Sequence, residues 1–291
     1  MNPVDHAAEP QPTVSSALLA AQRVGVERLD AQWLLSDLLA QSRTWLIAHA
    51  DSRLEPVQWR CWLGLLGRHA SGEPLAYLLR RQAFFGLTLQ VDRTVLVPRS
   101  DTETLVEWAL QILLERDQGM PPPLVIDLGC GSGAIGLALK SVCPAAEVTA
   151  VDLCIEALAV AASNGTRLGL AVDWRCGDWW AAVGDGSFDL AVSNPPYIAG
   201  DDPHLSALRY EPTLALVAAD GGLAALRQII AGAPGHLHPQ SWLLLEHGYQ
   251  QAGAVAKLLQ DHGFEVVQTR SDLAGRPRCT GGRWPARRQI G

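Results

Sequence analysis

Leu124-Val125-Ile126-Asp127-Leu128-Gly129-Cys130-Gly131-Ser132-Gly133 is the stretch on which the fold turns. The short apolar run reads as a buried strand, the glycines as a tight turn, and residues 134–142 as a helix. Strand, glycine turn and helix in that order form the cofactor-binding start of a doubly wound α/β sheet. Glycines there let the backbone approach a ligand without a Cβ in the way. The spacing is not that of a dinucleotide site. The glycines run G-x-G-x-G, and the next one is Gly136.

Downstream, a second strand, Glu147 to Val151, ends in Asp152, 23 residues beyond Gly129. A carboxylate at that place can accept both hydroxyls of a ribose. The alternative for Asp152 is a plain surface acid. A third strand, Val172 to Cys176, leads into Gly177-Asp178-Trp179-Trp180. Asp178 is a candidate acceptor for an adenine amino group and Trp179 a candidate platform for the ring. Trp180 reads as core.

A further apolar run, Phe188 to Val192, delivers Ser193-Asn194-Pro195-Pro196-Tyr197. The prolines end the strand, because neither donates to a ladder and each fixes its own φ. The Asn194 side chain offers one carbonyl acceptor and the backbone of Pro195 a second. Two acceptors held close together suit a planar NH2 group, and Tyr197 can lie flat over the conjugated system behind it. By itself the corner is equally a strand-ending turn. Its position at a strand's carboxyl end, beside a glycine turn, favours the binding reading.

Outward from this centre, residues 1–12 read as a loose terminus. Thr13 to Ser71 reads as a small helical bundle, with Leu34, Leu35, Leu38 and Leu39 on one face. A short helix begins at Trp45-Leu46-Ile47. After Pro56, Trp59, Trp62, Leu63 and Leu66 form a stripe. Those tryptophans are core by default and a partner's docking face by alternative. Gly72-Glu73-Pro74 closes the bundle. Residues 83–97 alternate like a β-hairpin turning at Asp92-Arg93. Ser100 and Glu103 match a capping box opening a helix over 102–116. Beyond the corner come a helix opened by Gly221-Gly222-Leu223, a strand from Trp242 to Glu246, and a helix from Gln250 to His262. A final antiparallel pair spans Glu265 to Arg270 and Cys279 to Trp284, and a basic, loose tail begins at Pro285. The expected domains are 13–74 helical, 75–97 linking with the hairpin, and 98–291 catalytic.

The chain has 291 residues, 48% hydrophobic and 18% charged, with a net charge of −7. The size permits one large domain or two unequal ones. The acidic balance argues against a nucleic-acid substrate. The six cysteines show no CxxC pair, so they read as reduced thiols, and no metal pattern is present. His236 and His238, in a Gly/Pro-rich loop, are a weak candidate for metal binding. No signal peptide or apolar run of membrane-spanning length is visible.

The G-x-G-x-G turn with its preceding acid resembles the first motif of S-adenosylmethionine-dependent methyltransferases. Taken together, the motifs resemble the release factor glutamine N5-methyltransferase family over nearly the whole chain. They are Gly72-Glu73-Pro74, Phe84-Phe85-Gly86-Leu87, Pro98-Arg99 with Asp101-Thr102-Glu103, Asp127 to Gly133, and Asn194-Pro195-Pro196-Tyr197-Ile198. Glu211-Pro212, Glu246-His247-Gly248 and Asp272-Leu273-Ala274-Gly275-Arg276 add to these. The glycine and Asn-Pro-Pro-Tyr motifs are shared among amino-methyltransferases, whereas the hairpin and terminal markers are more specific. The resemblance implies a class I methyltransferase fold, with a seven-stranded, mostly parallel sheet and an N-terminal helical domain that docks the substrate. It implies S-adenosylmethionine as cofactor, no metal, and a cytoplasmic enzyme. The substrate would be the glutamine of the Gly-Gly-Gln motif in class I peptide chain release factors. A monomer with no membrane and no direct nucleic-acid partner is expected.

By motif match, Gly129, Cys130, Gly131, Ser132, Gly133, Asp152 and Trp179 would bind cofactor, and position adds Asp178. Asn194 would touch both ligands. Asn194, Pro195, Pro196 and Tyr197 would hold the glutamine, with Asn194, Pro195 and Tyr197 as the catalytic group. The chain departs from the family pattern at Arg80, Ala83, Ser100 and Pro277, all outside the core motifs. Arg99 has only its position to suggest a role. Three other functions use the same features. One is a methyltransferase acting on an exocyclic amine of a nucleic-acid base, which salt-sensitive RNA or DNA affinity would favour. Another is a non-catalytic cofactor-binding partner of the translation machinery, which the intact Asn194 corner disfavours. The last is a nicotinamide dehydrogenase, disfavoured by the glycine spacing.

Overall fold

The computed structural model describes residues 11–117 and 119–286. Its contacts divide the chain into two compact units, meeting in sequence between Arg80 and Arg81. Among the described residues, no helix is long and apolar enough to cross a membrane.

The first unit holds α1 (Val14–Arg23), α2 (Arg28–Leu39), α3 (Arg43–Ala48), α4 (Pro56–Ala70) and α5 (Leu75–Leu79). Residues 1–10 of the expected loose terminus lie outside the described residues, and the Pro12 carbonyl is held by the Leu54 N–H at 2.8 Å. Thr13 and Ser16 form a reciprocal capping box that starts α1. Val14, Leu34, Leu35, Leu46, Leu54, Trp62 and Leu66 make the core. The Trp62 indole donates to the Ala17 carbonyl at 3.0 Å, so this fully buried ring leaves no polar atom unmet. The expected stripe is narrower than its spacing suggested. Trp62 and Leu66 are buried, but Leu63 is 46% exposed. Gly72-Glu73-Pro74 is the turn from α4 into α5 rather than the end of this core, because Leu78 is buried in it.

The second unit opens with the hairpin β1 (Arg81–Phe84) and β2 (Leu87–Gln90). Its turn is Phe85-Gly86, with φ of 47° and 76°, not Asp92-Arg93. Two successive left-handed residues are what a two-residue hairpin turn of the right twist requires. Asp92 makes a separate turn, its carboxylate accepting from the Thr94 N–H at 2.9 Å. The 3-10 turn Ser100–Thr102 precedes α6 (Glu103–Leu114). The expected Ser100/Glu103 capping box is not formed. The Glu103 carboxylate accepts instead from the Phe85 N–H at 2.9 Å, bracing the hairpin turn.

The sheet follows, from β3 (Leu124–Leu128), α7 (Ala134–Val142), β4 (Glu147–Asp152), α8 (Ile155–Leu168), β5 (Asp173–Cys176) and β6 (Phe188–Ser193). It is completed by α9 (Ala219–Gly222), α10 (Ala224–Gly232), β7 (Leu237–Glu246), α11 (Ala252–Asp261), β8 (Glu265–Ser271) and β9 (Pro277–Arg283). The order is β5-β4-β3-β6-β7-β9-β8, with the first five strands parallel and β9 antiparallel to both neighbours. This is the seven-stranded, mostly parallel sheet of a class I methyltransferase. One face packs on Leu105, Trp108 and Leu137, the other on Trp180, Leu226, Ile229 and Val255. The order reverses direction at β3, so the loops leaving β3 and β6 diverge and open a crevice at the strands' carboxyl ends. Leu128 pairs with Ser193, and the Ser193 hydroxyl donates to the Leu128 carbonyl at 2.6 Å. That register sets the glycine turn beside Asn194.

Candidate active site

A cavity of about 600 Å³ fills the crevice. That lies within the roughly 300–1,000 Å³ usual for small-molecule sites. Gly129, Cys130, Gly131 and Ser132 wall one side, and Asp152, Asp178, Trp179, Asn194 and Pro196 contribute elsewhere. Gly131 takes a φ of 55°, and a Cβ added there would meet nothing within 4 Å. A ligand could therefore lie directly on that backbone. Gly133 serves packing instead, since a Cβ there would come within 2.9 Å of the Trp174 ring, and it does not line the cavity.

Asp152 ends β4 with one carboxylate oxygen accepting from the Gly131 N–H at 2.8 Å and the other from the Cys154 N–H at 2.9 Å. Burial raises its pKa, against those backbone bonds. Beneath the turn, fully buried Asp127 accepts from the Gly136 N–H at 2.9 Å, while its Oδ1 has no partner. Burial pushes its pKa up to about 7, with Asp152 adding to the effect. The same burial, with Asp127 and Asp152 nearby, holds the Cys130 thiol well above its ordinary range. Trp179, at a φ of 45°, lays its ring against Gly129. Asp178 is exposed and accepts from the Gln228 amide at 3.1 Å. Trp180 is buried, its indole donating to the Ile229 carbonyl at 2.8 Å.

A second cavity of about 240 Å³ has Asn194, Tyr197, Arg99 and Ile198 in its wall. Asn194 and Arg99 line both cavities, Tyr197 only the smaller and Pro196 only the larger. Pro195 is buried and lines neither. The Asn194 side-chain amide donates to the Thr102 hydroxyl at 3.2 Å. The Tyr197 hydroxyl donates to the Glu246 carboxylate at 3.3 Å, and burial together with that carboxylate raises its pKa. Arg99 is paired with Glu211, whose other oxygen accepts from the Val97 N–H at 3.1 Å.

Three polar groups at this centre escaped the reading of the sequence as site residues. Thr102 reads there as part of a helix start and of a family marker, Asp127 as the acid preceding the glycine turn but with no role of its own, and Glu246 only as part of a terminal marker. Glu246 ends the otherwise apolar strand WLLLE, as Asp127 interrupts LVIDL, and a lone acid in an apolar strand is the signal that could have marked both as site groups.

Two family models match the chain, "Methyltransferase small domain" over residues 105–210 and "PrmC N-terminal domain" over residues 14–79. Among solved structures, a methyltransferase from Pyrococcus furiosus shares the fold at a TM-score of 0.51 and 17% identity, covering 75% of this chain and 97% of that one. The release factor glutamine methyltransferase of Bordetella pertussis is 47% identical over 261 residues, 89% of this chain and 95% of that protein. Its counterpart from Xylella fastidiosa is 46% identical over 272 residues, 92% of this chain and 98% of that protein. With such identity over most of both chains, the chain belongs to the release factor glutamine methyltransferase family.

Proposed function

We infer that the protein is a cytoplasmic enzyme that methylates the side-chain amide nitrogen of the glutamine in the Gly-Gly-Gln motif of class I peptide chain release factors. It uses S-adenosylmethionine and so tunes translation termination. The observation that carries this reading is Asn194 standing in the walls of both cavities, where it can face a cofactor on one side and an amide on the other.

The residues present fit the cofactor. Bare backbone at Gly131 offers close approach, Asp152 keeps lone pairs for ribose hydroxyls, and Trp179 gives an aromatic face. When bound, S-adenosylmethionine supplies an electrophilic methyl group on a sulfonium.

The chain's own work is positioning. An amide nitrogen is a poor nucleophile, because its lone pair is delocalised into the carbonyl. The Asn194 side-chain oxygen and the Pro195 carbonyl accept the two N–H bonds and aim that lone pair. Tyr197 covers the amide plane from the smaller cavity. Orientation of this kind can contribute roughly 7–11 kcal/mol at its limit. As the nitrogen becomes positive, the same two carbonyl dipoles stabilise it without reorganising. The proton then leaves to water.

The test is mass spectrometry of a release-factor domain incubated with the protein and S-adenosylmethionine. One added methyl on the Gly-Gly-Gln glutamine is expected. Asn194→Ala should abolish it while cofactor affinity by calorimetry stays near wild type. No added methyl, with cofactor binding intact, would refute the substrate.

A further inference from the structure

The larger cavity is acidic except at one place. Asp152, Glu156 and Asp178 stand in its wall, and among the described residues that line it Arg99 is the one Lys, Arg or His. S-adenosylmethionine ends in an amino-acid arm that carries a carboxylate. That group needs a cation or backbone N–H groups once it leaves water. We propose that Arg99 binds the carboxylate of S-adenosylmethionine. The assignment rests on the cofactor reading above and deepens it.

The placement of Arg99 favours it. Four residues stand in the walls of both cavities: Leu96, Arg99, Asn194 and Ala215. They form the partition between the cofactor and the amide to be methylated. Methyl transfer brings the sulfonium to that partition, because its methyl group must face the nitrogen held by Asn194. The amino-acid arm runs only a few bonds from the sulfonium to the carboxylate, so the carboxylate comes to rest at the same end. Arg99 is the only charged member of the four. The nucleoside end has its own groups, Asp152 for ribose hydroxyls and the Trp179 ring.

The guanidinium is held ready. Arg99 Nη2 donates to Glu211, whose side chain is 3% exposed and whose Oε2 accepts from the Val97 N–H at 3.1 Å. Arg99 itself remains 39% exposed, and no other partner of its guanidinium is present among the described residues. A guanidinium has five N–H bonds in a planar fork, so one bond to Glu211 leaves donors for a second carboxylate. Glu211 aims the fork without using it up.

The test is calorimetry on the full chain with no release factor present. It compares S-adenosylmethionine with its decarboxylated form, which keeps the sulfonium, the ammonium and the nucleoside and lacks only the carboxylate. The wild type should bind S-adenosylmethionine roughly tenfold to a hundredfold more tightly, the range of a charge-assisted hydrogen bond. Arg99→Ala should bring that preference to within about threefold, by weakening S-adenosylmethionine while the decarboxylated ligand is held at least as tightly as before. If Arg99→Ala fails to fold by circular dichroism, Arg99→Met, which keeps the length of the side chain, replaces it and is read in the same way.

A preference that survives in the variant overturns the role, whether or not both affinities fall together, and leaves the carboxylate to backbone N–H groups at the start of α7. A wild type with no preference overturns it as well. A wild type that binds neither ligand overturns the cofactor reading and this role together. Methyl transfer does not enter the measurement, so a glutamine left unmethylated would overturn the substrate reading alone.

Discussion

Gly222 has a φ of 88°, and a Cβ built on it would lie 2.1 Å from the Tyr197 carbonyl oxygen. No side chain fits there unless the backbone of the Asn-Pro-Pro-Tyr corner moves. Gly222→Ala should therefore destabilise the protein by about 2 kcal/mol or more, from the left-handed conformation and the overpacking together. Urea unfolding reads that cost. In the same variant kcat should fall further than cofactor affinity, because the displaced residue is Tyr197 and not the glycine turn. Unchanged kcat with the stability loss would mean that the corner tolerates displacement. At this scale much of the site was legible in the sequence. The glycine turn, Asp152, Trp179 and Asn194 carry their chemistry within a few consecutive residues. The bonds from Asn194 to Thr102 and from Tyr197 to Glu246 were not legible, because the residues lie 92 and 49 positions apart and nothing local marks either meeting. Arg80 gains a physical account only from its backbone. It ends α5 at a φ of 55°, a left-handed place that a glycine would take without strain.

The hairpin shows what an element can hide. Its turn carries Phe85 in the left-handed region, where the sequence offers only Gly86 as a turn signal and no Asn-Gly or Asp-Gly pair. The Asp92-Arg93 pair looked more turn-like and drew the reading several residues too far. Glu103 explains how Phe85 is tolerated, since its carboxylate takes the Phe85 N–H from another element. Glu103→Ala should cost about 1–2 kcal/mol, and Glu103→Gln, which keeps an acceptor, clearly less. The comparison is made by equilibrium unfolding. Equal losses would show that the charge and not the acceptor matters. The strands and helices of the sheet, by contrast, lie close to where apolar runs and glycines put them, because buried parallel strands leave little room for polar residues.

Across the whole molecule, two buried carboxyl groups set the response to pH. Asp127 and Glu246 both have pKa values pushed up to about 7, burial being the main cause in each. Between their ordinary values, 3.8 and 4.5, and about 7 the folded protein keeps protons that the unfolded chain has released. Raising the pH through that window therefore favours unfolding. The cofactor-free protein is expected to lose stability from about pH 5 to pH 8, and Asp127→Asn should flatten part of that slope. Thermal melts across the range check both. A stability that rises over the window would contradict the burial of these groups. Asp272 works in the opposite direction at the acid end. The Arg276 N–H and the Arg278 guanidinium lower its pKa, so its contribution is lost as the pH falls below the ordinary carboxyl range.

A methyl donor is an alkylating agent, and Cys130 stands in the wall of the cavity that would hold it. A thiolate there would compete with any substrate and would end as a methyl thioether, inactivating its own enzyme. Burial and two neighbouring carboxyl groups keep Cys130 in the unreactive thiol form. Brief treatment with iodoacetamide should accordingly label the exposed Cys61 and Cys176 and spare Cys130. The acids under the glycine turn thus also guard the protein against suicide by its own reagent.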